Sequence, residues 1–290
     1  MGMKGKVVVV TGSNVGIGLE TAVGVAALEA TTVLACRNRA KAEAAAKEVT
    51  RRTWNDDVHV VDLDLADLAS VRAAADDVLG RWGRLDVLVN NAGGTWSQHQ
   101  LTAEGFEYTF GVNHLGHFYL TNLLLDRLRA SSPARIVSVT SVGHHFARHG
   151  MRFDDLQSER GYDGMDAYCR SKLANVLFTR ELAKRLEGTG VTANAVHPGP
   201  VRSGFGMDGD LTGFLGFGLK LVRPFEISPK RGAKTSIYVA TSPDVAGKTA
   251  MYWVRSKPGH MSRKARDDGT AARLWEESEK LLTSAGYAIG

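Results

Sequence analysis

The chain has 290 residues, of which 43% are hydrophobic and 23% charged, a balance that excludes disordered and collagen-like classes. No apolar run reaches the roughly 18 to 20 residues that span a bilayer, and Met1–Lys6 leads into Val7-Val8-Val9-Val10 without a signal-peptide layout, so no transmembrane anchor is expected. The net charge of +5 is spread along the chain and makes no case for nucleic acid, while two cysteines, Cys36 and Cys169, build no disulfide framework and point to a reducing cytoplasm.

Short, β-branched apolar runs predict strands at Lys6–Val10, Thr31–Cys36, Val58–Leu63, Leu85–Val89, Arg135–Thr140, Val191–Val196 and Thr249–Val254. Between them lie helical patterns. Gly16–Ala30 opens at glycines, Arg39–Arg52 is alanine-rich, and Asp67–Arg81 opens at an acid suited to capping. Ala103–Arg129 and Met165–Leu186 follow, and Ser228-Pro229 starts a last helix to about Ala240, because proline at the first helical position loses no needed donor. Strands apolar on both faces, alternating with helices, predict a doubly wound α/β fold. One domain over 1–290 is expected, with a seven-stranded parallel sheet and helices on both faces. The stretch from about 200 to 227 carries Phe205, Leu211, Phe214, Leu215, Phe217, Leu219 and Leu221, and is expected to form an apolar substrate lid. Its Lys220 and Arg223 would also suit peripheral contact with a membrane surface.

Thr11-Gly12-Ser13-Asn14-Val15-Gly16-Ile17-Gly18 follows the first strand and opens the first helix. Gly12 suits a tight turn, Gly16 close approach of backbone to a pyrophosphate, and Gly18 close packing of helix on sheet. The helix N-terminus offers N–H donors to phosphate. Ser13, Asn14 and Ile17 belong to the same loop. The second strand ends in Cys36-Arg37-Asn38, where an NAD-binding protein usually carries an acid. Arg37 can instead pair with a 2′-phosphate, so NADP(H) is the expected cofactor. Asp64 and Leu65 end the third strand, and Asp64 can accept from an adenine amino group. Asn90-Asn91-Ala92-Gly93 leaves the fourth strand, with residue types that tolerate a left-handed turn.

Tyr168 and Lys172 stand four apart in a helical pattern and so share a face. A nearby ammonium would lower the phenol's pKa and let it exchange a proton with a substrate oxygen. Ser141 ends the fifth strand at the sheet edge where ligands bind in this architecture. It can hydrogen-bond a reacting oxygen, and no Gly-x-Ser-x-Gly elbow marks it as a nucleophile. Asn113, a mediocre helix former inside Ala103–Arg129, suggests a local distortion holding a water. His114 and His117, and the pair His144-His145, would need further converging ligands to hold a metal, and none is expected.

In this order the motifs resemble the short-chain dehydrogenase/reductase family, over about residues 5 to 255. They are Thr11–Gly18, Asn90–Gly93, Asn113, Ser141, Tyr168–Lys172 and Pro198-Gly199. Ala35–Asn38, Val112–Phe118, Ala167–Cys169, Ser171–Asn175 and Val196–Gly199 are most similar to its retinol-dehydrogenase-like branch. Protochlorophyllide reductases share part of the pattern, and Thr140 replaces the usual serine before Ser141. The resemblance implies a Rossmann oxidoreductase with Tyr168 as acid/base and Ser141 orienting the carbonyl. Lys172 would bond the nicotinamide ribose and lower the tyrosine pKa, and Asn113 would hold a relay water. It also implies that Asp64 contacts adenine, that Asn91 and Gly93 flank the adenosine ribose, that Val201 touches the nicotinamide amide, and that Ala92, Pro198 and Gly199 belong to the cofactor site.

The expected reaction is hydride transfer between NADP(H) and a hydrophobic aldehyde, ketone or alcohol of retinoid, steroid or lipid type. The alternatives are a double-bond reductase like the protochlorophyllide branch, or a non-catalytic NADP-binding sensor, which would have no need of Ser141, Tyr168 and Lys172 together. Self-association into a homo-oligomer is compatible with the sequence.

Overall fold

The computed structural model describes residues 2–200 and 227–289. The expected lid and Val201 therefore lie outside the described residues. Chain order is β1 (Val7–Thr11), α1 (Gly16–Ala26), β2 (Thr31–Cys36), α2 (Arg39–Thr53), β3 (Val58–Asp62), α3 (Leu68–Arg81) and β4 (Val87–Asn90). Then come α4 (Tyr108–Phe110), a π-helical turn (Gly111–Leu115), α5 (Gly116–Ala130), β5 (Ala134–Val139), α6 (Gly164–Arg185), β6 (Val191–His197), α7 (Pro229–Thr241), β7 (Tyr252–Val254), β8 (Lys257–Pro258) and α8 (Asp268–Ser284).

The sheet runs β3-β2-β1-β4-β5-β6-β7-β8. Its first seven strands are parallel, as expected, and β8 adds a short antiparallel edge. The four valines of β1 are explained by its two covered faces. Val7 and Val9 join a core with residues of α3, α5, α6 and α8, whereas Val8 and Val10 join Val25 of α1 and Val239 of α7 on the other face. The order reverses between β1 and β4, and there the strand ends open a crevice. Asp86 anchors the opposite edge: its carboxylate is buried, takes the Val7 amide at 2.9 Å, and pairs with Lys6 at 2.9 Å and Arg84 at 2.5 Å.

Two caps fall where the residue types put them. Asp67 accepts from the Ala69 and Ser70 amides at the start of α3, and Ser228 from Arg231, with Pro229 in the first turn of α7. Three expectations need correction. The first helix ends at Ala26, because the chain turns through Glu29 at φ +64° before β2. The helix expected over Ala103–Arg129 begins later. Gly105 (φ +84°) turns the chain so that the Thr102 amide bonds the Phe106 carbonyl at 2.8 Å. Buried Glu107 then caps the Thr109 and Phe110 amides at 2.7 and 2.8 Å, and α4 starts there. The third is α8, which the reading of the sequence overlooked. Asp267 caps it, and Leu274, Trp275, Ser278 and Leu282 form its buried stripe. The Trp275 ring lies edge-on to Phe118, centroids 4.8 Å apart.

Candidate active site

A cleft of about 1010 Å³ opens at the carboxyl ends of the strands. Gly12, Asn14, Gly16, Ile17 and Gly18 line it together with Ser141, Tyr168, Lys172, Pro198 and Gly199. Arg37, Asn38, Asp64, Leu65, Asn91, Ala92 and Gly93 line it as well. Residues scattered over some 190 positions of sequence thus converge on one surface. Of the expected residues that are described, Ser13 and Asn113 are not on it. Ser13 is buried beneath the loop, its hydroxyl donating to the Val10 carbonyl at 2.8 Å, so it shapes the turn from behind.

The glycines fit a phosphate cradle. A Cβ on Gly12 would lie 2.8 Å from Ala92 Cβ, and one on Gly18 only 2.3 Å from the Gly12 carbonyl oxygen. Gly16, at φ +63°, faces open space. No side chain caps the first turn of α1, whose amides are thereby left for an anion. Asp64 closes a turn by accepting from the Ala66 amide at 3.0 Å, and the Asn38 side chain caps α2 through the Lys41 amide at 2.9 Å. Exposed Arg37 reaches over the rim, where its guanidinium donates to the Tyr108 hydroxyl at 3.0 Å. Trp96 stands edge-on to Tyr108, centroids 4.7 Å apart. Trp96, Tyr108 and Lys41 line the cleft and were not anticipated. Lys41 carried a legible signal, a cation in the first turn of α2, close in sequence to Arg37.

On the reacting side, the Ser141 hydroxyl hydrogen-bonds the Tyr168 phenol. Burial pushes that phenol up to about 12, opposed by the Ser141 bond. This corrects the expected direction. Lys172 Nζ lies 5.6 Å from the ring centroid, and desolvation of the phenolate is the largest effect on the phenol. Burial also lowers the Lys172 ammonium to about 8.

Asn113 lies in the π-helical turn, the distortion its residue type suggested. Its amide is a clamp. Oδ1 accepts from the Gly94 amide at 2.9 Å, and Nδ2 donates to the Gly94 carbonyl and to Ser171 Oγ, each at 2.9 Å. Gly93 must be small here, since a Cβ would come within 2.7 Å of Asn113 Oδ1 and 3.2 Å of Lys172 Nζ.

His114, His117 and His144 are buried, and burial holds their rings neutral. His144 Nδ1 donates to the Ser141 carbonyl at 2.7 Å and Nε2 accepts from the Ser262 amide at 3.2 Å, which ties the serine's turn to the segment after β8. Burial lowers His144 to about 4 and His114, bonded to Ser278, to about 3. No group of three metal-ligating side chains stands together among the described residues.

A phosphate cradle beside a paired serine and tyrosine defines the class, a nicotinamide-dependent oxidoreductase. The chain belongs to the short-chain dehydrogenase family: the family model of that description matches residues 6–153 and 155–210. It is similar to retinol dehydrogenase 12 of Homo sapiens, 48% identical over 280 residues, covering 97% of this chain and 87% of the relative. Among solved structures, an uncharacterized protein from Mycobacterium paratuberculosis aligns at TM-score 0.78 and 36% identity, covering 100% of this chain and 96% of that one. The RhlG/NADP active-site complex of Pseudomonas aeruginosa aligns at TM-score 0.68 and 25% identity, covering 93% and 98%. The chain is a retinol-dehydrogenase-like oxidoreductase acting on alcohol/carbonyl pairs. None of its described helices is long and apolar enough to cross a membrane.

Proposed function

We propose that the protein interconverts a retinoid or similarly apolar alcohol with its aldehyde or ketone, using NADP(H). The observation that carries this reading is the convergence of Ser141, Tyr168 and Lys172 beside the cradle of Gly12, Gly16 and Gly18. When bound, the cofactor gives or takes the hydride. The residues of the chain hold the reactants and move the proton. Uncapped amides of α1 would take the phosphates, and Arg37 with Lys41 supplies cations at the rim for a 2′-phosphate. Asp64 and Asn91 would border the adenosine, and Pro198, Gly199 and Val201 the nicotinamide.

Ser141 Oγ and the Tyr168 hydroxyl can both donate to one substrate oxygen. As the carbonyl is reduced, negative charge develops on that oxygen, and the Tyr168 phenol, neutral at pH 7, gives it a proton. In oxidation the phenolate takes the proton back. Lys172 stabilises that phenolate and would hold the nicotinamide ribose. The apolar side chains Val142, Phe146 and Met165 stand exposed close in sequence to Ser141 and Tyr168, which favours an apolar substrate. Residues 200–227 would complete its cover. The buried, unpaired thiols of Cys36 and Cys169 suit a reducing compartment.

The test is a panel of retinaldehyde, medium-chain aldehydes, steroid ketones and glyceraldehyde, with NADPH and NADH. The reading expects kcat/KM to rise with apolar area, at about 25 cal/mol per Å² buried, and to favour NADPH. A preference for glyceraldehyde, or for NADH, would overturn it.

A further inference from the structure

His117, in the first turn of α5, is fully buried and touches neither face of the cleft. Its two nitrogens meet groups from two different elements. Nδ1 lies 3.2 Å from the Asn113 carbonyl oxygen and Nε2 2.9 Å from Thr11 Oγ1. A carbonyl only accepts, so Nδ1 must carry the proton. In a neutral ring Nε2 then accepts, and the Thr11 hydroxyl must donate to it. Burial holds the ring neutral, lowering it to about 4, and nearby Lys172 acts in the same direction.

This fixes the direction of the Thr11 hydroxyl. A hydroxyl has one proton and two lone pairs. The proton goes to His117, since the alternative acceptor, the Val89 carbonyl, is 3.4 Å away. Both lone pairs face amides, Asn91 N at 2.9 Å and Ala92 N at 3.0 Å. The Asn91 side chain in turn donates to the Thr11 carbonyl at 2.8 Å. One ring thus joins the last residue of β1, from which the phosphate loop springs, the turn after β4, and the carbonyl of Asn113.

We propose that His117 is a positioning residue that, as the Nδ1–H tautomer, braces the nucleotide cradle through Thr11 and the π-helical turn through Asn113. The inference rests on the oxidoreductase reading for its kinetic test, but not for the tautomer or for cofactor affinity.

Two half-replacements separate the arms. His117→Asn places an amide where Nδ1 stood, keeping the Asn113 bond and losing Thr11. His117→Gln reaches the Nε2 position, keeping Thr11 and losing Asn113. Loss of the Thr11 arm should raise the NADPH dissociation constant about fivefold with kcat little changed, the size of one lost hydrogen bond. Loss of the Asn113 arm should lower kcat about fivefold with NADPH affinity little changed. His117→Phe should show both defects. A merely structural histidine would give both half-variants the same fall in Tm and no such division. Imidazole ¹⁵N shifts of the wild-type protein, with and without NADPH, supply a readout independent of turnover. A neutral Nδ1–H ring through the pH 6–8 range supports the proposal, and an Nε2–H ring, or one titrating in that range, overturns it. If His117→Phe fails to fold, the two amide variants and the ¹⁵N spectrum decide. An intact tautomer and affinity split in a protein inactive on every carbonyl would sink the substrate reading and leave the brace standing.

Discussion

Replacing Gly18 by alanine tests the cradle, because two opposing effects can be weighed. In an exposed helix the change would stabilise by about 0.8–1.0 kcal/mol. Here the added Cβ would stand 2.3 Å from the Gly12 carbonyl oxygen and 2.5 Å from Asn91 Nδ2. Neither neighbour is a free side-chain end. One is loop backbone, and the other is held by its bond to the Thr11 carbonyl at 2.8 Å. Overpacking costs about 1–3 kcal/mol and a lost hydrogen bond about 1, so steric cost exceeds propensity and the net loss is about 2 kcal/mol. For a chain of this size that is a fall in Tm of roughly 4–8 °C. Displacing Gly12 also moves the phosphate amides, so NADPH should bind about tenfold more weakly by calorimetry. The matched control is Gly80→Ala in α3, where an added Cβ meets nothing within 4 Å, so Tm should hold or rise. A Gly18→Ala protein as stable as the Gly80→Ala protein, with wild-type NADPH affinity, would refute the reasoning.

Other outcomes follow from the same geometry. Burial places Tyr168 at about 12 and Lys172 at about 8, so carbonyl reduction should stay level from roughly pH 6 to 7 and fall as pH rises through about 8 and the Lys172 ammonium is lost. Alcohol oxidation should climb with pH as the phenolate fraction grows, and initial-rate profiles in both directions check the two signs. Asp86→Ala strips a buried acceptor from the Val7 amide and leaves Lys6 and Arg84 unpaired, which should cost about 2 kcal/mol in urea unfolding without altering the KM for NADPH. An unchanged midpoint would contradict that.

The parts of this fold that were legible in the sequence are those whose cause is local. Valine runs mark strands covered on both faces, Asp67 and Ser228 announce helix starts, and the spacing of Tyr168 and Lys172 puts them on one face. The glycine loop was readable because glycine spacing reflects backbone clearance. Less legible were features whose partners lie far along the chain. The helix expected from Ala103 fails because Gly105 turns the chain and Glu107 caps α4, and the apolar pattern hides both. Ser13 sits in the phosphate motif yet faces inward to the Val10 carbonyl. The brace by His117 joins residues 106 positions apart, so spacing could not show it. The phenol's direction was misread for a related reason: sequence shows a cation four residues away, but not the desolvation that dominates at Tyr168. By contrast α8 was readable from Asp267 and its apolar stripe, and was simply missed.

The central claim is that Tyr168 passes the proton during hydride exchange with an apolar carbonyl. Its most direct test follows NADPH oxidation by the wild-type and Tyr168→Phe proteins with all-trans-retinaldehyde, alongside NADPH binding by calorimetry. Phenylalanine keeps the ring and removes only the proton donor. The account predicts a fall in kcat of about 100-fold or more with NADPH affinity within a few-fold of wild type. A Tyr168→Phe protein that reduces retinaldehyde at a rate within a few-fold of wild type would contradict it.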